Sequence, residues 1–322
     1  MGYDYSIEDF YKDTFEEFNF NVLTSNLESK LPITVPDLHR PAFALTGFME
    51  NYLHQRIQII GETEILYLRS LGIRKQKNAL SRLFTTPPPC IVISKGLEVP
   101  KDLIPLAEES TVPVIRTPLS TTPFIHSLTS HLENVFAPRT MLHGSLVDVY
   151  GVGLLIMGKS GIGKSEIALD LVERGHRLVA DDVVEITRHG DVLIGRGQAH
   201  LRHFMEIRGL GIINVMDVFG IRAARIQKRI EVVVQLEVWD PNKDWDRIGL
   251  DEHYTDFLGI KVRQLIIPVY PGKNITVISE AIALSHMLKV YGIDAAKRLD
   301  KQLVDMMESD RKTRRYLKFD TE

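Results

Sequence analysis

The spacing of hydrophobic and polar positions changes period repeatedly along the chain, which predicts helices alternating with strands. Residues 5–18 set spaced aromatics among acids and predict a helix; residues 56–60 then predict a strand and residues 75–84 a helix. After Pro87-Pro88-Pro89, the apolar run Cys90-Ile91-Val92-Ile93 predicts a buried strand. A helix follows over residues 100–109, opening near a proline, then a short strand over 112–115 and a helix over 123–136. Within Ala137-Pro138-Arg139, the proline discourages its predecessor from staying helical, so a boundary there separates residues 1–137 from residues 138–322.

The second part begins with two strands, over residues 146–150 and 153–157, and a helix over 164–174 stopped by Gly175. Residues 177–187 predict one further strand, and His189-Gly190-Asp191 a hairpin turn into Val192-Leu193-Ile194. A strand-rich stretch over 229–239, a strand over 262–267 and one long amphipathic helical region from Ser279 to about Met307 complete the pattern. The expected fold class is α/β in two domains.

With 44% hydrophobic and 25% charged residues over 322 positions, the composition is that of an ordinary folded protein, neither disordered nor fibrous. A net charge of -3 without a long Lys/Arg block lacks the basic footprint of a nucleic-acid binder. The basic run Arg311-Lys312 with Arg314-Arg315 reads as a solvated helix end. Cys90 is the single cysteine, so no intramolecular disulfide forms, which fits a reducing cytoplasm. No apolar stretch is long enough to span a bilayer, and no membrane association is expected. His126 and His131, on an apolar helix, read as structural.

The strongest chemical signal is Gly158-Lys159-Ser160-Gly161-Ile162-Gly163-Lys164-Ser165, a P-loop between an apolar strand and a helix. Glycines let backbone N–H groups converge on phosphate oxygens, and the helix N-terminus adds positive potential. Lys164 is suited to neutralise β/γ-phosphates and Ser165 to offer its hydroxyl to Mg²⁺, with ATP as the phosphoryl donor. Asp181-Asp182 follows on the next predicted strand, earlier than the metal aspartate of many P-loop ATPases. Strand alternation would send the two carboxylates to opposite faces, so only one would reach the phosphates, and alternation does not say which. Met205-Glu206-Ile207-Arg208-Gly209-Leu210-Gly211-Ile212-Ile213-Asn214 taken alone reads as a tight loop entering a strand.

That last segment resembles the signature of the HPr kinase/phosphorylase family. The run from His143 to Gly153, the P-loop with its helix, and the run from Arg174 to Asp182 are similar to the same family. Together they cover most of the C-terminal half, whereas the first 140 residues resemble the family's variable N-terminal domain only loosely. The resemblance implies a regulatory or assembly domain followed by a kinase domain similar to the phosphoenolpyruvate carboxykinase core. It implies phosphorylation of a serine on the phosphocarrier protein HPr, and reverse phosphorolysis in which Pi attacks phosphoseryl-HPr and PPi leaves, in the control of carbon metabolism.

By the same resemblance Asp182 exchanges the seryl proton in both directions, and Glu206 is a second Mg²⁺ ligand beside Ser165. His143 orients the carboxylate or the phosphate, and Arg247 stabilises the charge of the transferring group. Pro268-Val269-Tyr270-Pro271-Gly272-Lys273 corresponds to a loop associated with dephosphorylation, where relatives usually carry arginines in place of Tyr270 and Lys273. Tyrosine has no charge and lysine no bidentate fork, so this departure weakens the phosphorylase expectation. A homohexamer is likewise implied. A small-molecule kinase on the same core and a nucleotide or phosphate sensor without turnover are the rival readings.

Overall fold

The computed structural model describes residues 5–245 and 252–317. The chain divides into two compact units, Met1–Ala137 and Pro138–Glu322.

Among the described residues, the first unit is built on a five-stranded sheet in the order Asn21–Val22, Val114–Arg116, Ile91–Ile93, Ile57–Ile60, Leu38–His39. The last four run parallel, and the first pairs antiparallel with Val114–Arg116. Consecutive residues of these strands serve opposite faces. Ile91 and Ile93 join one core with Leu80 and Leu83, and Val92 joins another with Phe10 and Phe124. Burial on both faces explains why the strands read as unbroken apolar runs. Cys90 lies in the second of these cores, and burial pushes its thiol up, away from the reactive thiolate. The Tyr5 hydroxyl lies 3.3 Å from His131 Nε2, and burial holds this histidine below its ordinary value.

The second unit centres on a six-stranded sheet ordered His253–Phe257, Ile260–Val269, Val232–Val238, Val152–Gly158, Ser145–Val149, Arg177–Ala180. Val152–Gly158 is parallel to Val232–Val238, which is parallel to Ile260–Val269. One face, with Leu154, Ile156, Val232 and Val234, is covered by the helices Lys164–Glu173 and Ile275–Val290. The other, with Leu155 and Val233, packs on Val184, Ile186 and Leu193 of a second sheet, ordered Gln227–Arg229, Val192–Gly197, Val183–His189, Arg139–His143. Among the described residues no helix is long and apolar enough to cross a membrane.

Three expectations are corrected. Residues 177–187 form two strands, Arg177–Ala180 and Val183–His189, in different sheets. Asp182 takes a left-handed conformation (φ 64°) between them and breaks the period. The helical region expected from Ser279 to Met307 begins earlier and is interrupted. Asn274 caps Ile275–Val290 by accepting from Val277 N, and a turn at Gly292 (φ 79°) separates that helix from Ala295–Leu317. The segment from Met205 to Asn214 is a β-hairpin of Phe204–Ile207 and Gly211–Asn214. The turn expected at His189-Gly190-Asp191 is a two-residue hairpin, with His189 opposite Val192.

Candidate active site

The glycine-rich loop leaves the carboxyl end of Val152–Gly158, where an open parallel sheet presents its ligand crevice. Gly163, at φ 102°, caps the helix Lys164–Glu173 in a conformation that side chains rarely adopt. Ile162 packs into the core, and Lys159 and Ser160 face solvent. Lys164 Nζ donates to the carbonyls of Gly158 and Lys159, each at 3.2 Å, so the ammonium lies folded over the cradle. The far end of the helix is anchored as well: Arg174 and His176 both meet the Glu280 carboxylate at 3.1 Å.

The two aspartates stand beyond the end of Arg177–Ala180, so alternation along a strand does not decide between them. Both line one cleft of 210 Å³ with Lys164, Ser165, Glu206 and Arg208. Asp181 is the more enclosed. Its Oδ1 accepts from Ser145 Oγ at 2.5 Å and from Ser165 Oγ at 3.1 Å. Burial raises its pKa, and the two seryl hydrogen bonds oppose that rise. Asp182 is open, with 76% of its side chain exposed, and its Oδ1 lies 3.7 Å from His143 Nδ1. Gly144 N donates to the Asp182 carbonyl at 3.0 Å, which ties the end of the strand Arg139–His143 to this turn.

The signature hairpin supplies the remaining wall. Met205 is buried in the core under the P-loop helix, and Ile207 and Ile213 pack against it. Period 2 then directs Glu206 and Arg208 the other way, into the cleft. A Cβ on Gly161 would lie 3.0 Å from both terminal nitrogens of Arg208, so this guanidinium rests against the phosphate cradle. Leu210 and Ile212 are exposed, Gly209 and Gly211 take positive φ, and Asn214 caps the short helix Val215–Phe219.

The sequence assigned no role to Ser145 and expected only one of Asp181 and Asp182 to reach the phosphates, whereas both line the cleft. The Asp181 link to Ser165 depends on the strand ending at Ala180, which periodicity did not reveal. Alternation of apolar and polar residues from Met205 to Arg208 was the signal that could have placed Glu206 and Arg208 on one face.

Pro268, Val269, Tyr270, Pro271, Gly272 and Lys273 do not line this cleft. They end the strand Ile260–Val269 and enter the next helix, and Gly272 and Lys273 border a neighbouring cleft of 590 Å³ with Glu166, Asp170 and Glu173 of the P-loop helix. Lys273 Nζ lies 5.3 Å from the Tyr270 ring centre, and burial lowers its pKa. Arg247 lies outside the described residues.

Among the described residues, no group of three or more His, Cys, Asp and Glu is arranged to hold a metal unaided. The oxygen donors around Ser165 nevertheless fit Mg²⁺, which retains waters and shares phosphate oxygens instead of requiring a full protein cage. Ser165 and Glu206, with Asp181 behind Ser165, would hold it.

A strand, glycine-rich loop and helix with lysine and serine at the helix start, faced by carboxylates, define a P-loop protein of the phosphoryl-transfer class. Comparison with known proteins narrows the class. Residues 6–132 match the HPr Serine kinase N terminus family and residues 134–303 the HPr Serine kinase C-terminal domain family. An HPr kinase/phosphorylase of Chloroherpeton thalassium is 49% identical over 86% of this chain and 82% of its own length. One from Geobacillus sp. is 47% identical and one from Bacillus subtilis 44% identical, each over 92% of this chain and 96% of its own. The chain belongs to the HPr kinase/phosphorylase family.

Proposed function

We propose that the protein transfers the γ-phosphoryl group of ATP to a serine of HPr and, in reverse, catalyses attack of Pi on phosphoseryl-HPr to release PPi. The observation that carries this reading is an exposed carboxylate, Asp182, at the mouth of a P-loop cleft. A base that must reach a hydroxyl on a folded protein has to stand at the rim, whereas a base for a small metabolite can be enclosed. The relatives' names support HPr as that protein.

In the forward direction Asp182 takes the seryl proton as the seryl oxygen attacks the γ-phosphorus, and the bond to the ADP oxygen breaks. His143 orients the carboxylate. Lys164 and the loop N–H groups hold the phosphates and offset their charge. Mg²⁺, when bound at Ser165 and Glu206, neutralises phosphate charge. In reverse, the protonated Asp182 returns its proton to the departing seryl oxygen while Pi takes the phosphoryl group. Tyr270 and Lys273 give this direction a weaker anion site than two arginines would, so kinase activity is expected to exceed phosphorolysis. Residues 1–137 serve as the regulatory or assembly domain and residues 138–322 as the catalytic one. Assembly into a homohexamer is supported by the exposed apolar residues Leu299, Leu303 and Met307 along the helix Ala295–Leu317.

The test is transfer of radiolabel from Mg-ATP to HPr, followed by a chase with Pi and measurement of PPi. Label on HPr that the chase converts to PPi is the expected result. Label on a metabolite with none on HPr would overturn the reading, as would nucleotide binding without turnover of any substrate.

A further inference from the structure

The strand Ser145–Val149 is buried along its whole length, yet it opens on a polar residue. Ser145 has no exposed surface, and a hydroxyl beside the core residues Leu146, Val147 and Val149 is costly unless it is hydrogen-bonded. Most side-chain hydrogen bonds go to backbone or water. Ser145 Oγ donates instead to another side chain, the Asp181 carboxylate, at 2.5 Å. Its register opposite Ile156 puts it beside the strand that runs into Gly158 and the P-loop.

The oxygen that Ser145 meets is the one that Ser165 meets. Asp181 Oδ1 accepts from Ser165 Oγ at 3.1 Å, so a single carboxylate oxygen joins the buried strand to the P-loop serine. A carboxylate accepts and does not donate, so the Ser165 hydrogen is pinned toward Asp181 and the lone pairs of Ser165 Oγ are turned away from it. That orientation matters to a cation, because a hydroxyl ligates through a lone pair and a hydrogen aimed at the metal would repel it. The long bond to Ser165 would by itself leave the carboxylate free to turn into the cleft that it lines. The shorter, buried bond from Ser145 holds it in place, as groups behind a metal ligand commonly do.

We propose that Ser145 is a positioning residue for the divalent cation: acting through Asp181, it presents the lone pairs of Ser165 Oγ to Mg²⁺ carried by the nucleotide. Ser145 itself is fully buried and does not meet the nucleotide. The inference rests on the assignment of Ser165 as a Mg²⁺ ligand.

The test measures binding of a non-hydrolysable ATP analogue to the full chain by calorimetry, once with saturating Mg²⁺ and once with EDTA. In the unmodified chain Mg²⁺ should tighten binding by about tenfold or more. Ser145→Ala should leave the metal-free affinity within about twofold and remove most of the Mg²⁺ enhancement, whereas Ser145→Thr, which keeps the hydroxyl, should retain it within about threefold. Ser145→Cys fills the same space with a much weaker donor and should behave as Ser145→Ala does, without a cavity to endanger folding. Ser165→Ala should lose the same enhancement, and adding Ser145→Ala to it should lower the enhancement no further, because the link is already cut. An enhancement unchanged in both Ser145→Ala and Ser145→Cys would overturn the proposal. Equal weakening with and without Mg²⁺, the mark of a merely structural serine, would overturn it too, as would an additive loss in the double variant. Absence of any Mg²⁺ enhancement in the unmodified chain would overturn the Ser165 assignment itself, and this inference with it.

Discussion

At Asp182 one residue carries two requirements. It turns the chain between two sheets at φ 64°, and it presents an exposed carboxylate beside His143. Asparagine tolerates the same backbone region and cannot accept the seryl proton. Asp182→Asn should therefore leave the melting temperature unchanged and lower phosphoryl transfer by about 100-fold or more, read by label incorporation into HPr. Arg208 makes a different prediction. Its guanidinium rests against Gly161 and has no acidic partner among the described residues, so it is free to meet phosphate oxygens. Arg208→Ala should weaken ATP binding by about tenfold, and Arg208→Lys by less, in an equilibrium titration. The P-loop itself was legible because its function rests on backbone geometry that glycine spacing declares. The Ser145–Asp181–Ser165 chain of hydrogen bonds was not, because it joins three elements that only the folded sheet brings together.

Elements showed the same division between local and tertiary information. The strands with apolar residues on both faces were read close to their observed limits, because burial on two sides leaves a continuous signal. The error over residues 177–187 arose where one apolar run crosses from sheet to sheet: Leu178, Val179, Val184 and Ile186 are all buried, although their strands have different neighbours. Within the second sheet, Glu185 faces Arg196 across the hairpin at 2.8 Å, with Arg139 at 3.8 Å. The Arg196 hydrogen bond holds the Glu185 carboxyl below its ordinary value of 4.5, against the opposing effect of burial. Because the folded pKa is depressed, the pair contributes its full stability above the unfolded value and loses it as pH falls through the folded one. Glu185→Gln should cost about 1 kcal/mol at pH 7, given that Arg196 is partly exposed, and the difference from the unmodified chain should narrow as pH falls below the ordinary value of 4.5. Urea unfolding across a series of pH values measures it.

At the scale of the whole molecule, each described core draws its residues from one unit: two cores flank the five-stranded sheet of the first unit and two flank the six-stranded sheet of the second. Pro138 gave the boundary in the sequence because a proline after a helix restricts the residue before it, and the helix Thr121–Val135 does end just short of it. The pairing of strands around the P-loop had no such local mark. Val152–Gly158 pairs in parallel with Val232–Val238, and that register follows from non-local packing. Since each unit encloses its own sheet, residues 138–322 expressed alone should unfold in one cooperative transition and bind a non-hydrolysable ATP analogue within a few-fold of the full chain. Residues 1–137 should fold alone and bind none. Calorimetry and nucleotide titration on the two fragments check both statements. A catalytic fragment that folds yet has lost nucleotide affinity would mean that the first unit helps to shape the P-loop cleft, and the assignment of catalysis to residues 138–322 alone would fail.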